Sequence, residues 1–259
     1  MIATAGSGHT ASSLGLVECF VALYDRVLRF DAAHPGWKER DRMIVSNGHV
    51  APVWYAVLAE SGFFPISELT ELRKHGSRLQ GHPVRGMLPG VENSSGSLGQ
   101  GLGFACGLAV ASRLRSEKYH VFCLMGDGEQ QEGSVWESYW FAGQHSLGNL
   151  TAIVDLNEIQ SEGKTIEILS LQNIVAKLQT FGWETIEVDG HDLEELSRVF
   201  TLTRRSERPT AVLMHTIPGK GVSFMEGDPS WHARAPNAEE LAQALQQLKQ
   251  EKESNGTTS

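Results

Sequence analysis

The chain has 259 residues, 41% of them apolar and 20% charged, which is enough for one large α/β core or two small ones. Its 22 basic and 31 acidic side chains leave a net charge of −9. That argues against a nucleic-acid binder, because neutralising phosphates needs a basic surface. Cys19, Cys106 and Cys123 form no CxxC pair and lie in apolar runs, as buried reduced thiols would. The longest uncharged apolar stretch, residues 103–111, is too short to span a bilayer, so no membrane is expected. Residues 1–9 carry no basic segment followed by an apolar one, so the expectation is a cytoplasmic protein without a secretory leader.

In chain order, an amphipathic helix is predicted over 11–28, a strand over 43–46, and helices over 50–61 and 98–116. A strand over 120–125, a helix over 135–145 and a strand over 150–156 follow. Then come a helix over 170–180, a strand over 184–188, a helix over 192–201, a strand over 210–215 and a helix over 238–251. Small polar residues predict a disordered tail over 253–259, leaving one domain over 1–252. Alternation of strand and helix, with nearly continuous apolar strands, implies an α/β fold: a doubly wound, mostly parallel sheet with helices on both faces. In such sheets ligands bind beyond the carboxyl ends of the strands. The residues there are small, polar or ionisable: Ser46-Asn47-Gly48-His49, Gly126-Asp127-Gly128, Asp155-Leu156-Asn157, Asp189-Gly190-His191-Asp192 and residues 216–221.

Gly126-Asp127-Gly128-Glu129-Gln130-Gln131-Glu132-Gly133 is the most informative of these segments. Two glycines flank an acid where a strand gives way to a helix. Backbone N–H groups near a helix start suit phosphate, whereas an Asp repels it. The combination makes sense with a divalent cation between acid and phosphate, and Mg²⁺ favours one or two carboxylates plus phosphate oxygens. Asn157 lies 30 residues after Asp127, at the end of the next strand, and about one βαβ unit separates them. Neighbouring strands lie roughly 4.8 Å apart, so both side chains can reach one ion. Alone, each residue also suits a tight turn or a helix cap. Two glycine-rich stretches lead elsewhere: Gly99-x-Gly101-x-Gly103 lacks the spacing and preceding strand of a dinucleotide site, and Gly219-Lys220-Gly221 is not a P-loop.

Gly-Asp-Gly followed about thirty residues later by Asn resembles the thiamine-diphosphate (ThDP) motif, and Glu129…Glu132-Gly133 resembles the transketolase family in particular. The likeness extends along the chain through Ser7-Gly8-His9, Ser46-Asn47-Gly48-His49, Gln80-Gly81-His82-Pro83, Gly96-Ser97-Leu98-Gly99-Gln100-Gly101, Asp189-Gly190-His191-Asp192 and Trp231-His232. The resemblance implies that Asp127, Asn157 and the carbonyl of Ile159 hold Mg²⁺, and that Gly128 donates its N–H to the diphosphate. It places Ser12, His49, Gly96, Ser97, Leu98, Asn157 and Glu132 along the cofactor. His9, His82 and His232 become catalytic, lining the substrate funnel, where imidazoles bind sugar hydroxyls and move protons near neutral pH. His34, His75, His120, His145 and His215 are read as structural, and His191 as a structural turn.

Transketolases are more than twice this length, and the chain resembles only their diphosphate-binding domain. The resemblance therefore implies the N-terminal subunit of a split transketolase. Its partner would be a C-terminal subunit with pyrimidine-binding and C-terminal domains, paired as an α2β2 heterotetramer. The reaction implied is transfer of a two-carbon ketol unit from a ketose phosphate to an aldose. Alternatives are a subunit of a 1-deoxyxylulose-phosphate synthase-like or E1-like enzyme, or a non-catalytic subunit of the same fold. Three departures stand out: Thr10 replaces the family proline, Glu158 replaces a glycine, and the helix that precedes Ser7-Gly8-His9 in the family is missing. Helix 98–111 and the aromatic run Trp136-Glu137-Ser138-Tyr139-Trp140-Phe141 are candidates for the partner interface; that run equally suits a core-facing helix.

Overall fold

The structure, a computed structural model, describes residues 1–256. Five strands form one sheet: β1 (Arg42–Val45), β2 (Val121–Gly126), β3 (Leu150–Leu156), β6 (Glu184–Asp189) and β7 (Thr210–His215). Their order is β1-β2-β3-β7-β6 and every pairing is parallel. A two-residue-per-strand hairpin, β4 (Ile159–Gln160) and β5 (Gly163–Lys164), sits apart from the sheet, just after β3. The strands match the apolar runs to within one residue at each end.

Burial alternates along each strand, as the pleat requires. Met43, Val45, Phe122, Leu124, Val212 and Met214 point into one core, and Ile44, Cys123, Met125, Ala211 and Leu213 into the other. The first core is closed by α3 (Val17–Val21), α4 (Ala51–Glu60) and α9 (Leu193–Thr203), while α2 (Thr10–Leu14) packs on α4 and puts Ala11 into a third, smaller cluster with Val222, Met225 and Trp231. The second is closed by α5 (Gly101–Leu114), α6 (Gly133–Gln144) and α8 (Ile174–Thr180). Two layers of helix around one parallel sheet is the doubly wound arrangement expected.

Several boundaries differ. The helix expected over 11–28 is three pieces: α2, α3 and a π-helix, Ala22–Val27. Gly15 breaks it by pressing against another segment. A Cβ there would lie 3.0 Å from the Ile217 carbonyl oxygen. The helix expected from residue 98 starts at Gly101, because Gly96 (φ 146°) and Gly99 (φ 82°) hold non-helical turns before it. The helix expected from 170 starts at Ile174, capped by Asn173, and α7 (Thr165–Leu169) precedes it. A one-turn helix, α1 (Ile2–Ala5), precedes Ser7-Gly8-His9, where no helix was expected. The last helix, α10 (Ala238–Gly256), continues through 253–256, which were expected to be tail; Lys-Gln-Glu-Lys-Glu is a run of good helix formers. Residues 257–259 lie outside the described residues. No helix among the described residues is long and apolar enough to cross a membrane.

Candidate functional site

A cavity of about 330 Å³ opens beyond the carboxyl ends of β1, β2 and β3. Asp127, Asn157 and Ile159 line one part of it, and His9, His49, His82 and His232 another.

At the carboxylate end, β2 stops at Gly126 and the chain turns through a 3₁₀ segment, Gly128–Gln131. Asp127 is 4% exposed. Its Oδ1 accepts from the Gly128 N–H at 2.7 Å, and its Oδ2 from the Glu158 N–H at 2.7 Å and the Thr165 hydroxyl at 3.0 Å. A carboxylate offers about four lone-pair positions, so three hydrogen bonds leave one unused on a residue that lines the cavity. Asp155 lies behind it, accepting from Asn157 Nδ2 at 2.7 Å and from the Thr216 hydroxyl. The Asn157 Oδ1 in turn accepts from the Ile159 N–H at 3.0 Å. Burial pushes the Asp127 carboxyl up to about 6, and burial together with the neighbouring Asp127 pushes Asp155 up to about 7. Two acids buried side by side without a basic partner are held at a cost that a cation would offset. Among the described residues no three His, Cys, Asp or Glu side chains gather as a ready-made cage. One carboxylate, one amide and one backbone carbonyl suit a hard cation that takes its other ligands from phosphate and water.

The imidazoles form a compact group. Ring centroids of His9 and His49 lie 4.8 Å apart, those of His9 and His232 5.3 Å, and those of His49 and His232 5.7 Å. Burial, then the other imidazoles, draws His49 down to about 3. Burial, then His232, Arg73 and His82, draws His9 down to about 4. Burial also lowers His232, and burial with Arg73 lowers His82. All four are therefore neutral at pH 7, able to donate from one ring nitrogen and accept at the other. Thr10, the first residue of α2, ties the cluster together. Its hydroxyl donates to the Arg234 carbonyl at 2.7 Å, fastening the loop that carries His232 beside His9.

Glu129 braces the whole rim. It is 2% exposed and accepts from the Ser46 hydroxyl, from the Gly99 N–H at 2.7 Å and from the Gly126 N–H at 3.3 Å. Ser46 accepts in turn from the Gly101 N–H at 2.9 Å. The approach is so close that a Cβ on Gly101 would lie 2.3 Å from the Ser46 Cβ.

The sequence matches the family described as transketolase, thiamine diphosphate binding domain, over residues 1–255. The chain belongs to the transketolase family. It is 38% identical over 247 residues to 6-deoxy-6-sulfo-D-fructose transketolase subunit SqwG of Clostridium sp. strain MSTE9, covering 95% of this chain and 90% of that one. It is 36% identical over 258 residues to an apulose-4-phosphate transketolase subunit of Phocaeicola vulgatus, covering 97% and 92%. Mouse transketolase is 40% identical over 246 residues, 94% of this chain but 39% of that protein. The transketolase structure from Leishmania mexicana superposes with a TM-score of 0.90 at 29% identity, covering 96% of this chain and 39% of that one. The fold is thus that of a transketolase N-terminal portion, and the chain is similar in length to the subunits rather than to the long transketolases.

Most residues that the transketolase motifs single out do meet here: His9, His49, His82, Gly96, Leu98, Asp127, Gly128, Glu132, Asn157, Ile159 and His232 all line the cavity. Two do not. Ser12 is 3% exposed within α2, away from the lining. Ser97 lies between Gly96 and Leu98, which face the cavity, and lines an adjacent groove instead with Arg85, Ser95 and Gln100. The Gly128 N–H, expected to meet a phosphate, is donated to Asp127 instead. Glu158, the departure from glycine, sits at φ 61°, the left-handed region that favours glycine, yet its N–H still reaches Asp127. His120 and His191 are structural: His120 is buried against Thr151, and His191 braces the turn after β7 by accepting from the Ile217 N–H at 2.8 Å. Asn47, Glu129, Gln131, Asp155 and Gln160 also line the cavity, although the motifs assign them no role. Asn47 and Glu129 stand inside family-like segments that give them no role of their own, and the signal for Gln131, Asp155 and Gln160 is position at or after a strand end.

Proposed function

We propose that this chain is the ThDP-binding subunit of a split transketolase, transferring a two-carbon ketol unit from a ketose to an aldose with Mg²⁺ as the bridging cation. The observation that carries this reading is one cavity with the Asp127–Asn157 pair at one end and four neutral imidazoles at the other. Asp127, Asn157 and the Ile159 carbonyl would hold the cation, and the cation the diphosphate. When bound, ThDP supplies the electron sink for breaking the bond next to a ketose carbonyl. The protein's part is placement and proton traffic. His49, the most deeply buried imidazole of the four, holds the neutral state and orients its neighbours. His82 and His232, nearer the surface, take and return the proton of a sugar hydroxyl. Glu129 and Ser46 hold the strand ends at fixed separation so that these groups stay in register. The subunit relatives are named for apulose-4-phosphate and for a 6-sulfo ketose, so the substrate class is a ketose with a terminal anionic group.

A second polypeptide completes the site in this reading. The relatives of similar length are named as subunits, and this chain corresponds to 39% of a long transketolase. Exposed apolar side chains support it: Trp140 is 65% exposed and Phe141 44% on α6, Phe104 is exposed on α5, which packs against α6, and Ile166 and Leu169 are exposed on α7. Tyr139 and Trp136 of the same aromatic run turn inward. Two such subunits and two partners would form the closed assembly, in the cytoplasm. The test is to assay ketol transfer from a ketose phosphate with ThDP and Mg²⁺, first on this chain alone and then with a pyrimidine-domain partner. Activity should require both chains; robust turnover by this chain alone would refute the split-enzyme reading.

A further inference from the structure

Asn47 follows β1, is 1% exposed and lines the cavity. Neither its Oδ1 nor its Nδ2 has a hydrogen-bond partner among the described residues. Its neighbours fix it in place. Ser46 is committed to Glu129 and Gly101. Gly48 lies against Ser95 so closely that a Cβ there would be 2.4 Å from the hydroxyl oxygen. Burying an amide with both ends unpaired is costly, and folded chains accept it mainly where a ligand or water supplies the missing partners.

The place of Asn47 in the sheet says which ligand. β1 pairs with β2 with Val45 opposite Leu124, so two residues on, Asn47 stands level with Gly126 and the Gly126-Asp127-Gly128 turn. The backbone N–H at that turn which the motif offers to a phosphate, that of Gly128, is donated to the Asp127 carboxylate. The Asn47 amide is thus an uncommitted donor at the strand end neighbouring the cation pair. The only other unpaired buried side-chain atom among the cavity-lining residues described is His9 Nδ1, in the imidazole group. We infer that Asn47 is a cofactor-binding residue: its Nδ2 donates to a diphosphate oxygen, and its Oδ1 accepts from a water that enters with the diphosphate. This rests on the ThDP reading above.

The experiment compares the wild-type full chain with Asn47→Ala and the isosteric Asn47→Asp. Each is melted without cofactor and titrated calorimetrically with ThDP in the presence of Mg²⁺. Because the amide has no partner to lose, the cofactor-free Asn47→Ala chain should melt close to wild type. Its ThDP affinity should fall about 10- to 100-fold, the worth of a hydrogen bond to a charged group. Asn47→Asp should fall further, since it sets a carboxylate against phosphate, and this comparison stands even if the alanine variant folds poorly. An Asn47→Ala chain that melts several degrees lower yet binds ThDP like wild type would overturn the inference, because the amide would then serve the fold. A wild-type chain that does not bind ThDP even when combined with its partner subunit would overturn the function proposed above, and this inference with it.

Discussion

Asp127→Ala separates the site's chemistry from the fold's stability. At pH 8 the wild-type carboxylate is ionised in a place where burial has raised its pKa from 3.8 to about 6, a penalty of roughly 3 kcal/mol. The sign follows from linkage: a group whose folded pKa is raised contributes stability that is present below 3.8 and lost as pH rises through about 6. Alanine removes that penalty. It also strips partners from the Gly128 N–H, the Glu158 N–H and the Thr165 hydroxyl, at about 1 kcal/mol each. The two effects nearly cancel, so the cofactor-free variant should melt within a few degrees of wild type at pH 8. Its stability should also change less between pH 4 and pH 7. Binding has no such compensation. Loss of the only carboxylate proposed to ligate the cation should weaken Mg²⁺-dependent ThDP binding at least 100-fold, beyond the roughly 10- to 100-fold typical of residues that merely support a ligand. Scanning calorimetry across pH and a ThDP titration at fixed Mg²⁺ measure both. Wild-type affinity in the variant would refute the assignment of Asp127 as cation ligand.

Replacing His82 or His232 by alanine should lower kcat by about 10²–10⁴-fold, roughly 3–5 kcal/mol of barrier, while ThDP affinity changes little; steady-state kinetics of the reconstituted complex with saturating ThDP checks the split. The depressed His9 and His49 disfavour protonation of the folded state, so their contribution to stability is present above pH 6.5 and lost as pH falls toward about 4 and 3. His49→Gln should flatten the acid limb of a pH–melting curve. Glu158→Gly should raise stability slightly, since relief of about 1–2 kcal/mol of left-handed strain exceeds the entropy cost of glycine, about 0.5–1 kcal/mol. A lower melting temperature in that variant would show that the exposed Glu158 side chain makes contacts that matter. Gly101→Ala should cost about 1–3 kcal/mol or more, because its methyl collides with Ser46 and pries it from Glu129; denaturant unfolding reads this directly.

The five parallel strands were legible because each is an apolar run buried on both faces, a pattern that needs no knowledge of its neighbours. The ends of those runs pointed to Asp127, Asn157 and His49 for the same reason: polar residues directly after a buried strand have one place to go. Where the helices broke was not legible. Gly15, Gly99 and Gly101 act through contacts with Ile217, Glu132 and Ser46, none of them near in the chain. The same holds inside the site. That Ser97 faces away while Gly96 and Leu98 face in, and that Gly128 commits its N–H to Asp127, depends on turns whose geometry the sequence leaves open. That Thr10 takes up the Arg234 carbonyl, 224 residues away, and that Asn47 and Asp155 share a wall with the histidines are facts of packing. Local patterning determines which residues can be strand, helix or strand end. Which polar atoms find partners, and which are left facing the cavity, is decided only when distant segments close around it.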